Sequence, residues 1–309
     1  MQGIRIGVGV ADGGGVALPK LLEQVGQAET AGFQSVWIPN IFSTDAMTLA
    51  ALAREVTGSI EIGTAVVPTF SRHPFYMAQQ ALSTQAALDG RFVLGLGPSH
   101  KVVIEGMLGL SYDKPARHVR EYVTIVKQLF ETGKTAFQGE NYQVNASLNV
   151  ACDTAPPLLI GALGPLMRKI AGSICDGTIT WMTGPRTLGE EVGKGVRAAA
   201  KEAGRPEPRI VAGIPVILTE DIDGAREAAS EVFSIYRTLP SYRAMLDAEG
   251  VDQPGDLLIA GDEKSIETAI RGLADVGVTD FHAALFPYGE KPGPTMKRTH
   301  AFLGELAKS

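Results

Sequence analysis

EIGTAVVPTFSRHP, residues 61–74, and DGRFVLGLGPSH, residues 89–100, bracket an Ala- and Gln-rich segment. Glu61–Val67 reads as one strand and Arg91–Gly97 as the next. Pro74 suits the first turn of a helix between them, where a missing N–H costs nothing, and Gly90 closes that helix. Strand, helix and strand in this order form a βα unit with a crossover. Gly95, Gly97 and Pro98 then leave bare backbone at a strand end, where a planar ring could lie close to the chain. A Gly-x-Gly alone is a weak signal, and the full GRFVLGLG string directly after an RHP helix is a stronger one.

Working outward, six more runs carry the strand signature: Arg5–Val10, Ser35–Pro39, Leu158–Leu163, Thr178–Met182, Ile210–Thr219 and Asp280–Phe286. Eight strands alternating with helices predict an α/β chain, a single (β/α)8 TIM barrel over residues 1–309, with an open doubly wound sheet as the rival. Most of the strands are near-continuous apolar runs, as expected when both faces are buried. Val119, Tyr122, Val123, Val126, Leu129 and Phe130 fall on one helix face, and Ile266, Ile270 and Leu273 repeat the pattern. Three stretches exceed a minimal βα unit: His100–Lys114, Lys134–Pro157 and Ser241–Gly261. Excess length after a barrel strand sits at the C-terminal, active-site face. Gly139–Val144 reads as part of a hairpin, with Gly139 supplying the turn.

Composition narrows the function class. The chain has 309 residues, 45 % hydrophobic and 20 % charged, as a soluble globular protein has. Its 34 acidic and 28 basic residues give a net charge of -6 without long blocks of either sign, which disfavours nucleic acid as a partner. MQGIRIGVGV at the start reads as a first strand rather than a signal peptide, and no apolar run is long enough for a bilayer. Cys152 and Cys175 lack metal or redox spacing, so ordinary buried thiols and a cytoplasmic location are expected. His118, His282 and His300 show no metal-ligand grouping, and no metal is expected.

Five motifs together resemble one family: AETAGFQSVWIPN at 28–40, IGTAVVPTFSRHP at 62–74, GRFVLGLG at 90–97, PLLIGALGPLMRKIAG at 157–172, and the CDG before strand six. They are similar to the luciferase-like monooxygenase superfamily over nearly the whole chain. The segment SHKVVIEGMLGLSYDKP at 99–115 resembles its branch of coenzyme F420-dependent oxidoreductases. The resemblance implies a barrel that holds a deazaflavin at its mouth and exchanges a hydride with a small molecule. An FMN-dependent monooxygenase is the alternative, and a non-catalytic flavin-binding barrel a third reading. Relatives of this kind are often dimers, so a homodimer is expected.

The resemblance also distributes roles. A bulge after strand three, Ala65, Val66 and Val67, would back the cofactor ring, with Ala65–Val66 as the cis bond; an ordinary trans strand end is the alternative. Asn40 stands where relatives place an Asp against the ring, and a turn-forming Asn is the plainer reading. Gly97, Pro98 and Ser99 border the mouth. Gly161, Ala162, Leu163 and Gly164 lead into a helix at Pro165 whose first N–H groups suit a phosphate, although a simple turn also needs such glycines. Trp181 and Met182 either flank the cofactor tail or fill the barrel. His100, just past the strand-four glycines, is the candidate proton donor, against a histidine that only touches the cofactor tail. His73 is expected to position its loop. Relatives acting on glucose 6-phosphate pair a His and a Glu where this chain has Ile41 and His100, so a sugar phosphate is not expected. Val103, Met107, Leu108, Tyr236 and Tyr242 are candidate pocket residues for an apolar or amphipathic substrate.

Overall fold

The computed structural model describes residues 3–11 and 14–309. Eight parallel strands form the barrel: β1 (Arg5–Gly9), β2 (Ser35–Ile38), β3 (Glu61–Thr64), β4 (Phe92–Gly97), β5 (Leu158–Ile160), β6 (Gly177–Trp181), β7 (Arg209–Leu218) and β8 (Asp280–Leu285). Each pairs with the next, and β8 returns beside β1 with Asp280 opposite Arg5. Hydrogen bonding therefore runs round the ring without an edge, which excludes the open sheet.

Local chemistry explains the elements. The Pro74–Ala87 helix opens on its proline and on His73, whose Nδ1 accepts from the Phe75 N–H at 3.3 Å. Gly90, at φ 83°, makes the left-handed turn that leads into β4. The Pro115–Thr132 helix buries Val119, Tyr122, Val123, Val126 and Leu129 as its spacing predicts. Phe130 is only half-buried, and Ile125 joins the core instead. Each such side chain removed from water contributes roughly 1.5–3 kcal/mol.

The extra segments fall in different places. After β4 the chain makes a short helix, Lys101–Ile104, and after β7 it adds the helices Ile222–Val232 and Pro240–Glu249 and a strand, Ile259–Gly261, paired with the end of β7. Both of these lie at the C-terminal face. The third is an antiparallel hairpin, Lys134–Gln138 with Gln143–Ser147, lying along the Pro115–Thr132 helix. Its tip is fastened by Glu121, whose carboxylate accepts the N–H groups of Glu140, Asn141 and Tyr142 at 3.1, 2.8 and 3.1 Å. A Cβ on Gly139 would lie 2.5 Å from Glu121 Oε2, so glycine is needed there for space and not for a left-handed turn.

Strand alternation sets the barrel interior in layers. At the N-terminal end Arg5 meets Glu61 at 3.3 Å and Asp280 at 3.1 Å, while Arg209 meets the same two carboxylates at 2.9 and 2.6 Å. Trp37, Val93, Leu159, Ile179 and Val211 fill the next layer. Gly63 seats the indole, since a Cβ there would lie 2.4 Å from Trp37 Cζ3.

Candidate functional site

Above the Trp37 layer the filling thins. By alternation the inward positions toward the strand ends are Gly9, Ala65, Gly97, Gly161, Gly213 and Ala284, together with the larger Pro39, Trp181 and His282. Six small residues among them leave space at the C-terminal end of the barrel, a hollow bordered by Trp181 and His282.

One wall is the bulge after β3. The Ala65–Val66 peptide is cis, at the bond the resemblance singles out. Thr64 Oγ1 donates to the Gly95 carbonyl and accepts from the Gly95 N–H, both at 2.9 Å, which ties the bulge to β4. A Cβ on Gly95 would lie 1.9 Å from the Thr64 carbonyl oxygen, and one on Gly97 would lie 2.6 Å from Val66 Cγ2. These two glycines make room for the bulge, and the bulge, not the glycine backbone, fronts the hollow. Val67 turns the other way and is fully buried among the outer helices.

Asn40 is half-buried at the end of β2, and its Oδ1 accepts from the Ala46 N–H at 3.0 Å. The amide oxygen thus shapes the following loop. Pro98 and Ser99 are half-buried; Ser99 is in a left-handed conformation and its carbonyl accepts from the Tyr112 hydroxyl at 2.9 Å.

On the far side, no atom lies closer than 3.9 Å to a Cβ placed on Gly161, and none within 4 Å of one on Gly164. Gly164 caps the Pro165–Ser173 helix with no side-chain hydrogen bond, and Pro165 and Leu166 are exposed, so that helix start faces outward uncapped. The Leu163 carbonyl accepts from Arg168 Nε at 2.5 Å. Ala162 is buried in the outer core. The neighbouring helical run after β6 starts differently: the Glu249 carboxylate accepts the N–H groups of Arg186 and Thr187 at 3.2 and 2.7 Å.

An aromatic arc links the two C-terminal-face insertions. Trp181 meets Tyr236 and Phe233 edge-on, Tyr236 meets Tyr242 at 4.6 Å between centroids, and Tyr242 meets His100 at 5.8 Å. Burial pushes the His100 pKa below its ordinary value and the Tyr242 phenol above its own, so both are neutral at pH 7. Met182 is buried with Leu246 and Leu257 in the cluster against which this arc packs. Outside it, Ile41, Phe42, Val102, Met107 and Leu108 are exposed on the loops after β2 and β4 and give the mouth an apolar rim. His118 lies behind the bulge loop, its Nε2 3.0 Å from Thr69 Oγ1 and its ring stacked on Phe70 at 3.7 Å. Burial, opposed by Glu121, brings its pKa down to about 4.

One interior residue escaped the sequence reading. His282 is 7 % exposed and lies in the floor of the hollow, with ring centroids 6.0 Å from Trp37 and 6.4 Å from Trp181. The signal was the alternation in DFHAAL, where Phe281 and Ala283 face the helices and so send His282 inward. Among the described residues no three His, Cys, Asp or Glu side chains group as metal ligands, and no helix is long and apolar enough to cross a membrane. Cys175 is buried and Cys152 half-buried, both free.

Comparison with known proteins gives this geometry a family. The profile described as luciferase-like monooxygenase matches residues 4–280. A 5,10-methylenetetrahydromethanopterin reductase of Methanolobus tindarius is 27 % identical over 76 % of this chain and 72 % of its own. An F420-dependent glucose-6-phosphate dehydrogenase of Kineococcus radiotolerans is 26 % identical over 85 % of this chain and 87 % of its own. Among solved structures, an F420-dependent secondary alcohol dehydrogenase superposes with a TM-score of 0.82 at 22 % identity, covering 98 % of both chains, a likeness of fold.

Proposed function

Because this chain belongs to the luciferase-like monooxygenase family, we propose that it is an enzyme that holds coenzyme F420 in the hollow and exchanges a hydride with an apolar or amphipathic small molecule. The observation that carries the reading is the C-terminal mouth of the barrel, where nothing lies closer than 3.9 Å to the position a Gly161 Cβ would take and the cis bulge forms one wall. A flat tricyclic ring suits such a space, and the F420-dependent relative among the proteins compared supports the deazaflavin over a flavin.

When bound, the deazaflavin supplies or takes up a hydride at one ring carbon. The remaining tasks fall to this chain's own residues. The Ala65–Val66 bulge backs one face of the ring, the Asn40 amide donates toward its edge, and the uncapped N–H groups after Gly164 receive a phosphate. His100 donates a ring N–H to the substrate and passes it a proton when protonated. Since burial depresses its pKa, that protonated form grows as the pH falls. The apolar rim of Ile41, Phe42, Met107 and Leu108 supports an apolar substrate over a sugar phosphate.

The test is a fluorescence titration of the purified protein with F420 and, in parallel, with FMN under identical conditions. Saturable F420 binding with little FMN affinity is expected, and the reverse preference overturns the reading. Once a substrate is in hand, His100→Ala should lower turnover about 10²-fold and remove the rise toward acid pH. Full turnover across pH would remove His100 from the reaction.

A further inference from the structure

His282 is the one polar side chain on β8 that looks into the hollow, and among the described residues nothing hydrogen-bonds its ring. Its nitrogens are not among the fully sealed polar atoms, so an imidazole without a partner in the chain can be met from outside it. Glycines on both sides seat the ring: a Cβ on Gly9 would lie 2.7 Å from its Nε2, and a Cβ on Gly213 would lie 3.1 Å from its Nδ1. Any larger residue on β1 or β7 would displace the ring, and Ala284 leaves the position above it open.

Strand order fixes what the imidazole can meet. In a ring of eight strands β8 lies opposite β4, and the bulge that fronts β4 is Ala65–Val66. A flat ring resting one face on that bulge would extend toward β8, where His282 is the polar side chain on offer. We infer that His282 is a ligand-binding residue whose ring N–H donates to a carbonyl on the pyrimidinedione edge of the bound tricycle, an edge that deazaflavins and flavins share. The inference rests on the proposed function only in needing a tricycle of this class in the hollow.

Burial holds the imidazole neutral, with its pKa pushed down to about 3, so it offers one donor and one acceptor and no charge. Trp37 and Trp181 are its aromatic neighbours, with centroids 6.0 and 6.4 Å away.

The experiment compares wild type, His282→Phe and His282→Asn by fluorescence titration with F420 and with FMN, each first checked for folding by its thermal transition. It adds ¹⁵N spectra of histidine-labelled protein with and without F420, the His282 signals being assigned by their loss in His282→Asn. For whichever tricycle wild type binds, His282→Phe should bind about 3- to 10-fold more weakly, His282→Asn should recover most of the loss, and the His282 nitrogen signals should move on binding. If wild type binds but His282→Phe binds equally well, or the nitrogen signals stay still, the inference is overturned and the proposed function stands. Wild type that binds FMN with the predicted His282 response overturns the F420 reading and keeps this one; binding of neither overturns both.

Discussion

At the N-terminal end of the barrel the inward positions are Arg5, Glu61, Arg209 and Asp280, and every charge meets its opposite within 3.3 Å. At the C-terminal end the ring of strands offers Gly9, Ala65, Gly97, Gly161, Gly213 and Ala284, with Trp181 and an imidazole that has no partner among the described residues. At one end the charges are matched within the chain, and at the other the chain offers small residues and an imidazole that it does not pair. The proposed ligand falls at the second end, and the closed end holds the strands that shape it.

The largest expected effect breaks the closed end. Asp280 is 1 % exposed and joins both arginines, so Asp280→Asn should cost about 3–5 kcal/mol in urea unfolding by leaving buried positive charge short of a partner. F420 affinity of the folded fraction should not change, and a parallel loss of affinity would mean that the two ends are not separable.

Acid should next weaken the mouth. His118 and His282 are neutral when folded, with pKa values near 4 and 3, and take up protons on unfolding. Their contribution is therefore complete above about pH 6.5 and is lost as the pH falls toward their folded values, at about 1.4 kcal/mol per unit for each group. Burial raises the Glu29 carboxyl pKa, but four hydrogen bonds from residues 58–60 outweigh it and bring the value down to about 2, so its loss begins only below about pH 4.5. Denaturant midpoints between pH 6.5 and 5 should fall in wild type and fall less in His118→Gln; equal slopes would show that His118 is not held neutral.

Two glycine substitutions then sharpen the picture of the hollow. Gly95→Ala drives a methyl into the Thr64 carbonyl and should cost about 1–3 kcal/mol while displacing the bulge, seen as a lower thermal midpoint together with weaker F420 binding. Gly161→Ala meets nothing closer than 3.9 Å, so stability should stay within about 0.5 kcal/mol. Any drop in affinity there would locate the ligand beside β5, and an unchanged affinity would place it elsewhere.

The sequence was most informative where chemistry is local. All eight strands were readable because each is an apolar run closed by turn residues, whereas the bulge could be placed only through the family resemblance that the flanking motifs help to carry. What it withheld depends on register. A strand buried on both faces does not declare which face points inward, so Gly9, Gly213 and His282 did not read as one group. The charged layer was invisible for the same reason, as Arg5 and Asp280 are 275 residues apart in sequence and meet only when β8 closes on β1. Gly95 and Gly97 were legible as glycines, but the occupant of the space they leave was not.

Glu249 carries a consequence of its own. With its carboxylate on the Arg186 and Thr187 amides, the helical run after β6 arrives with a resident anion, while the run after Gly164 has none. Of two adjacent receptors for negative charge, one is permanently answered. On the proposed reading, an anionic tail would leave over β5, which gives an otherwise near-symmetric ring of strands a polarity, and exchanging Glu249 for a neutral residue is the simplest route by which a descendant could turn that tail toward β6.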